Sequence, residues 1–464
     1  MLQIPTEIKK ILVKLQNSRF EAYLVGGCVR DLLMKRAVKD WDITTSARPE
    51  QIQKLFKKSF YNNQFGTVTV LPSKTEITTF RKEAKYTDKR HPDKIEFTDS
   101  LEEDLKRRDF TINAIAFDGK NIINLTRDLE KRLIRTVGDP ADRFSEDALR
   151  LIRAVRFAIQ LDFKIEEKTE KAIKKHHHLL RFIAKERIRD EFVKMIQADR
   201  PDQGLLMLKK LKLLQYIIPE LELGIGVTQN KHHIYTVFEH SLLSLKHSQP
   251  GLALRLAALL HDIAKPYVKE GEGSNATFYN HDFLGAQWAA RILERLRFSR
   301  ETITKVAILI RNHMFLSDPD KITEAGVRRL IRRVSPENMK DLINLRIADR
   351  LGSGVPKGRP YRLRHFEYLI NKVSKDPISV KMLQINGEDV MEILKIRPCP
   401  KIGLLLKALL NEVLDDPAKN ANEYLKKRLV ELNKLSETKL EQKSQEVAEK
   451  KEEIELEAKK KFKI

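Results

Sequence analysis

The sequence predicts an α+β protein in which a small mixed sheet with helices comes first and an all-helical region follows. Apolar runs of strand-like length, separated by glycines and polar turns, occupy the first 120 residues: AYLVGG, WDITT, FGTVTVL, TEITTF, KIEFT and AIAF. After Gly138 the apolar residues recur at helical spacing to about residue 430, with prolines between the segments. A hydrophobic content of 41% over 464 residues is enough for several packed cores.

The N-terminal element is predicted to be an amphipathic helix within residues 1–20. Its apolar side chains Ile8, Ile11, Leu12 and Leu15 fall on one stripe at helical spacing. A second helical pattern, RPEQIQKLFKKS, interrupts the strand-like runs. At the other end, residues 434–464 carry nine Lys and eight Glu, which predicts an exposed helix or a disordered end.

The net charge favours a polyanionic partner. There are 88 Lys and Arg against 65 Asp and Glu, which leaves +23. Nucleic acid and an anionic membrane surface both fit this excess, and a merely well-solvated surface does not explain its single sign. No run approaches the 18 apolar residues of a membrane span. Cys28 and Cys399 are too few for a disulfide framework or a cysteine zinc site, which fits a reducing compartment. We therefore expect a cytoplasmic protein and favour nucleic acid over a membrane as its partner.

The segment YLVGGCVRDLLMKRAVKDWDITT combines a glycine pair with two aspartates. A predicted strand leads into Gly26 and Gly27, and a helix is expected from about Val29. Paired glycines let the backbone approach a phosphate closely, and the N–H groups at a helix start favour an anion. Arg30 adds positive charge for a triphosphate.

Asp40 and Asp42 follow, separated by Trp41. On a strand, residues i and i+2 point to one face, so the two carboxylates can share divalent ions. Oxygen-only ligands suit Mg²⁺, which completes its shell with phosphate and water. In this order and spacing the two features resemble the nucleotidyltransferase superfamily that includes DNA polymerase beta.

Two further motifs are rich in arginine. SLEEDLKRRDFTINAIAFD contains Arg108 just before an apolar segment. DPADRFSEDALRLIRAVRFAIQL places four polar residues three apart, which predicts a stripe along a helix: Asp147, Arg150, Arg153 and Arg156. An aspartate and an arginine one turn apart offer an acceptor and a fork of donors to a base edge, whereas an ordinary exposed ion pair is the alternative.

Together, GGCVRD, DWD, RRDFTINA, EDALRLIRAVRF and ERIRDEF resemble the bacterial class II tRNA nucleotidyltransferases, the CCA-adding enzymes, which share this core with bacterial poly(A) polymerases. The resemblance covers residues 20–215 and implies a DNA polymerase beta-like head followed by a helical neck and body. It implies that Asp40 and Asp42 hold catalytic Mg²⁺. It further implies a nucleotide site made of Gly26, Gly27, Arg30, Arg108, Asp147, Arg150, Arg153 and Arg156. Glu76, in the strand-like TEITTF, stays open as a third carboxylate.

A section rich in histidine follows. The pair His261-Asp262 ends an apolar helical segment, with Lys265 after it, and resembles the HD superfamily of metal-dependent phosphohydrolases. That resemblance implies a site for a divalent transition metal, with these ligands: His240, His261, Asp262, His281, His313 and Asp349. His232 and His233 compete with His240 for the first position, and loss of metal binding with the domain kept as a scaffold stays open.

The resemblance therefore implies a multidomain enzyme that adds or repairs the CCA end of tRNA from CTP and ATP. The expected boundaries are 1–140 for the head, 141–222 for the neck and body, 223–355 for the HD domain, 356–433 for a helical tRNA-binding segment and 434–464 for the tail. A poly(A) polymerase, an enzyme that adds only CC or only A, and a phosphohydrolase or RNA-binding protein with a degenerate head are the alternatives. The charged segment Arg81–Pro92 is expected to be the loop that permits the final addition of A.

Overall fold

The computed structural model describes residues 2–62, 66–84, 94–230, 234–373, 377, 379–436 and 439–440. The chain forms two compact units. Unit 1 comprises Met1–Ala307 with Gly352–Gly354, and unit 2 comprises Ile308–Leu351 with Val355–Ile464. A mixed sheet comes first and helices dominate the rest, which confirms the predicted α+β class.

The strands of the described residues are, in chain order, β1 (Ala22–Val25), β2 (Asp42–Thr45), β3 (Ser59–Asn62), β4 (Thr67–Val70), β5 (Thr75–Thr79), β6 (Arg81–Ala84), β7 (Lys94–Phe97), β8 (Ile115–Phe117), β9 (Ile122–Asn124), β10 (Leu133–Ile134) and β11 (Lys164–Ile165). Seven of them form one sheet in the order β3-β4-β5-β2-β1-β8-β9. Only β2 and β5 run parallel to each other in this sheet, within the described part of the chain.

Two short pairs stand outside that sheet. Strands β6 and β7 are antiparallel, with Arg81 opposite Phe97. Strands β10 and β11 are parallel and join the end of the head to the beginning of the helical region. The strand-like runs predicted from the sequence correspond to β1, β2, β4, β5, β7 and β8, whereas β3, β6, β9, β10 and β11 were not predicted. Two residues, as in β10 and β11, are too short a run for an alternating pattern to be recognised.

The helices of unit 1 are α1 (Thr6–Asn17), α2 (Gly27–Leu33), α3 (Pro49–Leu55), α4 (Leu101–Lys106), α5 (Pro140–Glu146), α6 (Leu149–Leu161), α7 (Glu167–His176), α8 (Lys185–Ile196), α9 (Pro201–Lys210), α10 (Val237–His247), α11 (Leu252–Leu260), α12 (Lys265–Val268) and α13 (His281–Arg295). Five 3₁₀ segments accompany them: Thr111–Asn113, His177–Phe182, Leu214–Tyr216, Pro219–Gly224 and Gly273–Asn275.

The remaining helices are α14 (Arg300–Asn312), α15 (Glu324–Val334), α16 (Pro336–Gly352), α17 (Tyr361–Val373), α18 (Gly387–Leu394), α19 (Pro400–Asp415) and α20 (Asn422–Asn433), with 3₁₀ turns at Val380–Met382 and Pro417–Lys419. Within unit 2, α18, α19 and α20 enclose an apolar core that includes Val390, Leu409 and Leu429. None of the helices in the described ranges is long and apolar enough to cross a membrane.

The apolar stripes predicted from the sequence are buried. In α1 the four residues Ile8, Ile11, Leu12 and Leu15 face the interior, as predicted. In α6 the apolar side chains Leu151, Ile152, Val155 and Ile159 are also inside. Helix α6 packs on α8 and α9, so its polar residues are held against a rigid helical neck.

Candidate functional site

A glycine turn connects β1 to α2 in the head. Gly26 has φ of +78°, a left-handed conformation in which a side chain is strained. Its N–H donates to the Ile115 carbonyl at 3.0 Å, and a Cβ built on it would lie 3.0 Å from Nη1 of Arg108. Helix α2 begins at Gly27, two residues earlier than the sequence predicted, since Gly26 itself serves as the N-cap. The turn therefore brings backbone close to an arginine.

Three carboxylates lie near this turn. Asp42 is the first residue of β2 and is the register partner of Glu76 on the parallel strand β5. Burial raises the pKa of Asp42 to about 6, helped by the negative charges of Glu76 and Asp40 and opposed by Arg108. This mutual repulsion is what a bound cation relieves, so the oxygen donors fit a divalent metal ion.

The position of Asp40 corrects one prediction. We expected both aspartates on one strand face, but β2 begins at Asp42 and Asp40 lies in the segment before it. Their proximity therefore comes from the approach of the chain to the strand, and not from the two-residue repeat of a strand. Glu76, left open by the sequence, is next to Asp42 because β2 and β5 pair in parallel register.

A buried aspartate orients Arg108. Asp104 is fully buried and accepts from Arg108 at 3.2 Å, from Arg107 at 2.8 Å and from the Thr44 hydroxyl at 3.3 Å. Burial would raise the pKa of Asp104, but the two guanidinium groups outweigh it and the pKa lies below its usual value. Asp104 thus remains ionised and ties Arg108 to β2, the strand that carries Asp42.

Arg30 begins a hydrogen-bonded chain that leads from the head to the neck. Its Nη1 donates to Oδ1 of Asn113 at 2.6 Å, and the amide of Asn113 donates to Asp109 at 3.0 Å. The other oxygen of Asp109 accepts from Arg153 at 2.6 Å. Burial would raise the pKa of Asp109, yet Arg153 and the Asn113 hydrogen bond hold it well below its usual range.

The chain continues to α8. Glu191, which is buried, lies 3.4 Å from Arg153 and 2.5 Å from Arg156. The Arg156 guanidinium also stacks 3.9 Å from the centre of the Phe157 ring. The head and the neck are therefore joined by alternating cations and anions, which fixes the arginine side chains of α6 in place.

Asp147 does not lie on a helix, contrary to the prediction. Helix α5 ends at Glu146 and α6 begins at Leu149, because the Asp147 carboxylate accepts the Leu149 N–H at 3.1 Å and so breaks the helix. Asp147 forms a bidentate pair with Arg187 of α8, at 2.8 and 3.2 Å. Arg150 instead pairs with Glu146 at 2.6 Å. Asp147 and Arg150, three residues apart in the sequence, therefore have different side-chain partners.

Four polar residues of this network carry no role in the sequence analysis: Asp104, Asp109, Arg187 and Glu191. Asp104 and Asp109 belong to SLEEDLKRRDFTINAIAFD, in which only Arg108 was predicted to be a site residue. Arg187 and Glu191 belong to ERIRDEF. A charged residue next to buried apolar neighbours, as Glu191 is beside Phe192, is the signal that points to a buried partner.

Removing the Asp109 carboxylate is expected to destabilise the protein. We expect Asp109→Asn to lower the free energy of unfolding by about 3 kcal/mol, because it leaves the partly buried Arg153 without its main partner. Since the pKa of Asp109 is depressed in the folded state, its contribution is present above the unfolded pKa of about 4 and is lost as pH falls below it. Urea unfolding at pH 7 and pH 3.5 checks both points, with the exposed Glu130→Gln as control. Equal stability of Asp109→Asn and the control at pH 7 would contradict this account.

A second cluster, buried in unit 1, combines three histidines and an aspartate. We call His240, His261, Asp262 and His281 the histidine–aspartate cluster. Donor atoms of the first three lie within 4.8 Å of one another, with the two Nε2 atoms of His240 and His261 3.0 Å apart. Nε2 of His281 lies 3.6 Å from Asp262. Nitrogen and oxygen donors in this number suit a transition metal.

Backbone carbonyls fix the tautomers of two of these histidines. Nδ1 of His261 is 3.0 Å from the Ala258 carbonyl, and Nδ1 of His281 is 2.7 Å from the Phe278 carbonyl. A carbonyl only accepts, so each Nδ1 carries a proton, which leaves Nε2 as the nitrogen that can present a lone pair to a metal ion. Burial lowers the pKa of His281, which keeps the imidazole neutral. His281 therefore offers the neutral imidazole that metal ligation needs.

Lys265 completes the surroundings of Asp262. Its ammonium lies 2.7 Å from Asp262 and donates to Gln229 at 2.7 Å. Burial would raise the pKa of Asp262, but His261 and Lys265 hold it well below its usual value. The carboxylate is therefore ionised and available to a metal ion, and the cationic Lys265 beside it suits an anionic substrate.

The remaining predicted ligands belong to unit 2 or lie outside the described residues. His313 follows α14 and is buried, with its Nδ1 2.6 Å from the Ile310 carbonyl. Asp349 lies on α16, where Arg346 pairs with it at 3.0 Å. His232 and His233, and most of the charged segment Arg81–Pro92, lie outside the described residues.

Three protein families match successive parts of the chain. Residues 22–135 match the "Poly A polymerase head domain". Residues 162–224 match the "Probable RNA and SrmB- binding site of polymerase A", and residues 232–352 match the "HD domain". Head and HD domains of these kinds generally use divalent metals. Asp40, Asp42 and Glu76 fall within the first matched region, and the histidine–aspartate cluster falls within the third. Asp147 and the arginines of α6 lie between the first and second matched regions.

Relatives with known names support the same grouping. A CCA-adding enzyme of Ligilactobacillus salivarius is 52% identical over 223 residues, which are 46% of this chain and 55% of the relative. One of Enterococcus faecalis is 47% identical over 234 residues, 48% of this chain and 58% of the relative. The chain thus spans about half the length of the curated relatives it matches. The crystal structure of the Bacillus stearothermophilus CCA-adding enzyme in complex with CTP covers 93% of this chain and 98% of its own, at 26% identity and a TM-score of 0.70.

Proposed function

We propose that the chain adds or repairs the 3′-terminal CCA of tRNA from CTP and ATP, because residues 22–135 match the poly(A) polymerase head domain, residues 232–352 match the HD domain, and CCA-adding enzymes are similar to part of the chain. No nucleic-acid template is required in this proposal. The observation that carries it is the group of Asp42, Glu76 and Asp40 beside the Gly26 turn and Arg108. Such an enzyme acts on tRNA in the cytoplasm.

In the proposed site, Asp40 and Asp42 hold Mg²⁺, and Glu76 is close enough to contribute. The metal supplies charge neutralisation for attack of the RNA 3′-hydroxyl on the α-phosphate and for departure of pyrophosphate. Gly26 and Gly27 let the triphosphate approach the backbone, and Arg108, held by Asp104, adds positive charge beside it. Arg30, on the helix that begins at Gly27, is fixed by Asn113.

The choice between CTP and ATP is proposed to rest on Asp147 and Arg150. Asp147 offers carboxylate oxygens and Arg150 offers a fork of donors, while Arg187 and Glu146 restrict their rotamers. Arg153 and Arg156 lie on α6 together with Arg150, and they are fixed by Asp109 and Glu191. A base with the wrong arrangement of hydrogen-bond donors and acceptors would leave polar groups of this rigid site without hydrogen-bond partners. That cost is what discriminates CTP from ATP.

Single-turnover assays test the proposal and its alternatives. Three tRNA transcripts, ending before the first C, after C and after CC, are each incubated with CTP or ATP. We expect CTP incorporation on the first two and ATP incorporation on the third. Repeated ATP addition to an arbitrary RNA would instead show a poly(A) polymerase, and failure on one transcript class would show an enzyme that adds only CC or only A.

Replacing the base reader is expected to change selectivity and not merely rate. We expect Asp147→Asn to reduce the preference for CTP over ATP, on tRNA that lacks CCA, by about ten- to a hundredfold, the effect of one or two lost hydrogen bonds. Arg30→Gln is expected to weaken both nucleotides alike, because Arg30 lies at the phosphate end. The measurement is kcat/KM for each nucleotide. Unchanged preference in Asp147→Asn would show that another group reads the base.

The histidine–aspartate cluster favours a second activity in the same chain. We propose that it binds a divalent transition metal and hydrolyses a phosphate ester, with Lys265 close enough to attract the anion. The domain boundaries given for the sequence remain our working division: 1–140, 141–222, 223–355, 356–433 and 434–464. In this division the segment 356–433 contributes to tRNA binding.

A further inference from the structure

An exposed row of rings on α17 is the feature that the proposed activities do not use. We propose that Tyr361, His365 and Tyr368, here called the α17 row, form a stacking surface for unpaired bases of bound RNA. The proposal rests on the proposed function, since it assigns to tRNA a contact within residues 356–433. Neither the residues nor the mode of contact follows from the motifs of the head or of the HD domain.

The two tyrosines of the α17 row are exposed, and His365 between them is half-buried. Tyr361 is 64% exposed and Tyr368 is 60% exposed, which is unusual for large aromatic side chains on a helix. The His365 ring lies between them, with its centre 6.1 Å from that of Tyr361 and 6.4 Å from that of Tyr368. The three rings are tilted by 34° and 40° between neighbours, so they form a shallow strip.

Packing of α17 does not account for this row. The helix buries another face, made of Leu363, Phe366, Leu369 and Val373. Within unit 2, Phe366 stacks on Phe315 at 4.5 Å between ring centres. Positions 361, 365 and 368 follow the i, i+4, i+7 spacing of a separate stripe. Loss of a ring from the row therefore removes exposed surface and leaves the buried face intact.

The charge around the row selects nucleic acid as the occupant. Residues 355–373 contain five cationic side chains and one carboxylate: Lys357, Arg359, Arg362, Arg364, Lys372 and Glu367. Glu367 pairs with Arg359 at 3.3 Å, Asp318 lies 3.7 Å from Arg362, and Lys372 pairs with Glu324 of α15, so the cationic excess near the row comes mainly from Lys357 and Arg364. Exposed rings interleaved with cations match the stacking and phosphate contacts of single-stranded RNA.

A pair of matched double variants tests the row. We expect Tyr361→Ala/Tyr368→Ala to weaken binding of a tRNA transcript lacking CCA by about tenfold or more, the loss typical of base-stacking rings. Tyr361→Phe/Tyr368→Phe keeps both rings and is expected to stay within about twofold of wild type. Phe60→Ala removes an exposed ring of the head and serves as a second control. Binding is measured by filter retention, and the KM for tRNA should rise while kcat at saturating tRNA is kept.

Salt dependence separates stacking from charge. The alanine double variant should keep the wild-type slope of log Kd against log salt, whereas Arg364→Gln should reduce it by about one phosphate contact. Wild-type affinity in the alanine double variant overturns the proposal, and so does a change of oligomeric state without a change in RNA affinity, which would indicate a protein interface. If the wild-type chain adds no nucleotide, but the alanine double variant binds tRNA more weakly than wild type does, the proposed function is overturned and the proposal for the α17 row remains supported.

Discussion

Asp42→Asn is expected to lower nucleotide addition by about a thousandfold or more, with tRNA affinity within about twofold of wild type. Asparagine has nearly the same shape but no charge, so the nucleotide site keeps its packing and loses its ability to neutralise the reacting phosphates. Burial, together with the negative charges of Glu76 and Asp40, raises the pKa of Asp42 in the absence of a cation, and a bound cation relieves both effects. The rate is measured with CTP and a transcript lacking CCA.

Controls distinguish the loss of metal binding from a general loss of charge in the head. Asp99→Asn removes an exposed carboxylate that pairs only at the surface with Arg48, at 3.1 Å, and should leave the rate unchanged. Glu76→Gln is expected to give an intermediate loss, because Glu76 is a neighbour of Asp42 and not a residue of the DWD motif. Substantial CTP incorporation by Asp42→Asn in magnesium would overturn the assignment of the site.

How far the sequence predicts the head depends on the range of the interaction. The stripe of α1 and the strand β1 follow from local periodicity, and the structure confirms both. The proximity of Glu76 to Asp42 does not follow from local periodicity, because it depends on the parallel pairing of two strands that are about thirty residues apart in the chain. An alternating pattern says which face a side chain takes, but it does not say which strand lies beside it.

The neck shows the same limit in polar groups. The positions of Arg153 and Arg156 on a helix follow from their spacing, whereas Asp109 and Glu191 become their partners only when α6 packs on α8 and against the head. Asp147 was misplaced for a different reason. Its side chain competes for a backbone N–H and ends a helix that the three-residue spacing of charges suggested would continue.

Asp262→Asn and His261→Ala are each expected to abolish metal-dependent phosphohydrolase activity, with a loss of about a hundredfold or more, while nucleotide addition stays within about twofold of wild type. Asp262 and His261 supply two of the donor atoms gathered within 4.8 Å, and Asn keeps the volume of a buried side chain whose charge the metal requires. Bound divalent metal is counted by elemental analysis, and hydrolysis is followed with p-nitrophenyl phosphate and bis-p-nitrophenyl phosphate.

His247→Ala is the matched control for the cluster, since it removes an exposed histidine from α10, the helix that carries His240. It should retain metal and hydrolysis. Because each activity then has its own inactive variant, Asp42→Asn should keep hydrolysis and Asp262→Asn should keep nucleotide addition. A wild-type chain that binds no divalent metal would show that the HD domain serves only as a scaffold. Among the described residues, Asp262 contacts Lys265 and His261 and has no contact with Asp42, so its replacement should not reach the head directly. Loss of nucleotide addition in a well-folded Asp262→Asn protein would therefore show that the two sites are coupled.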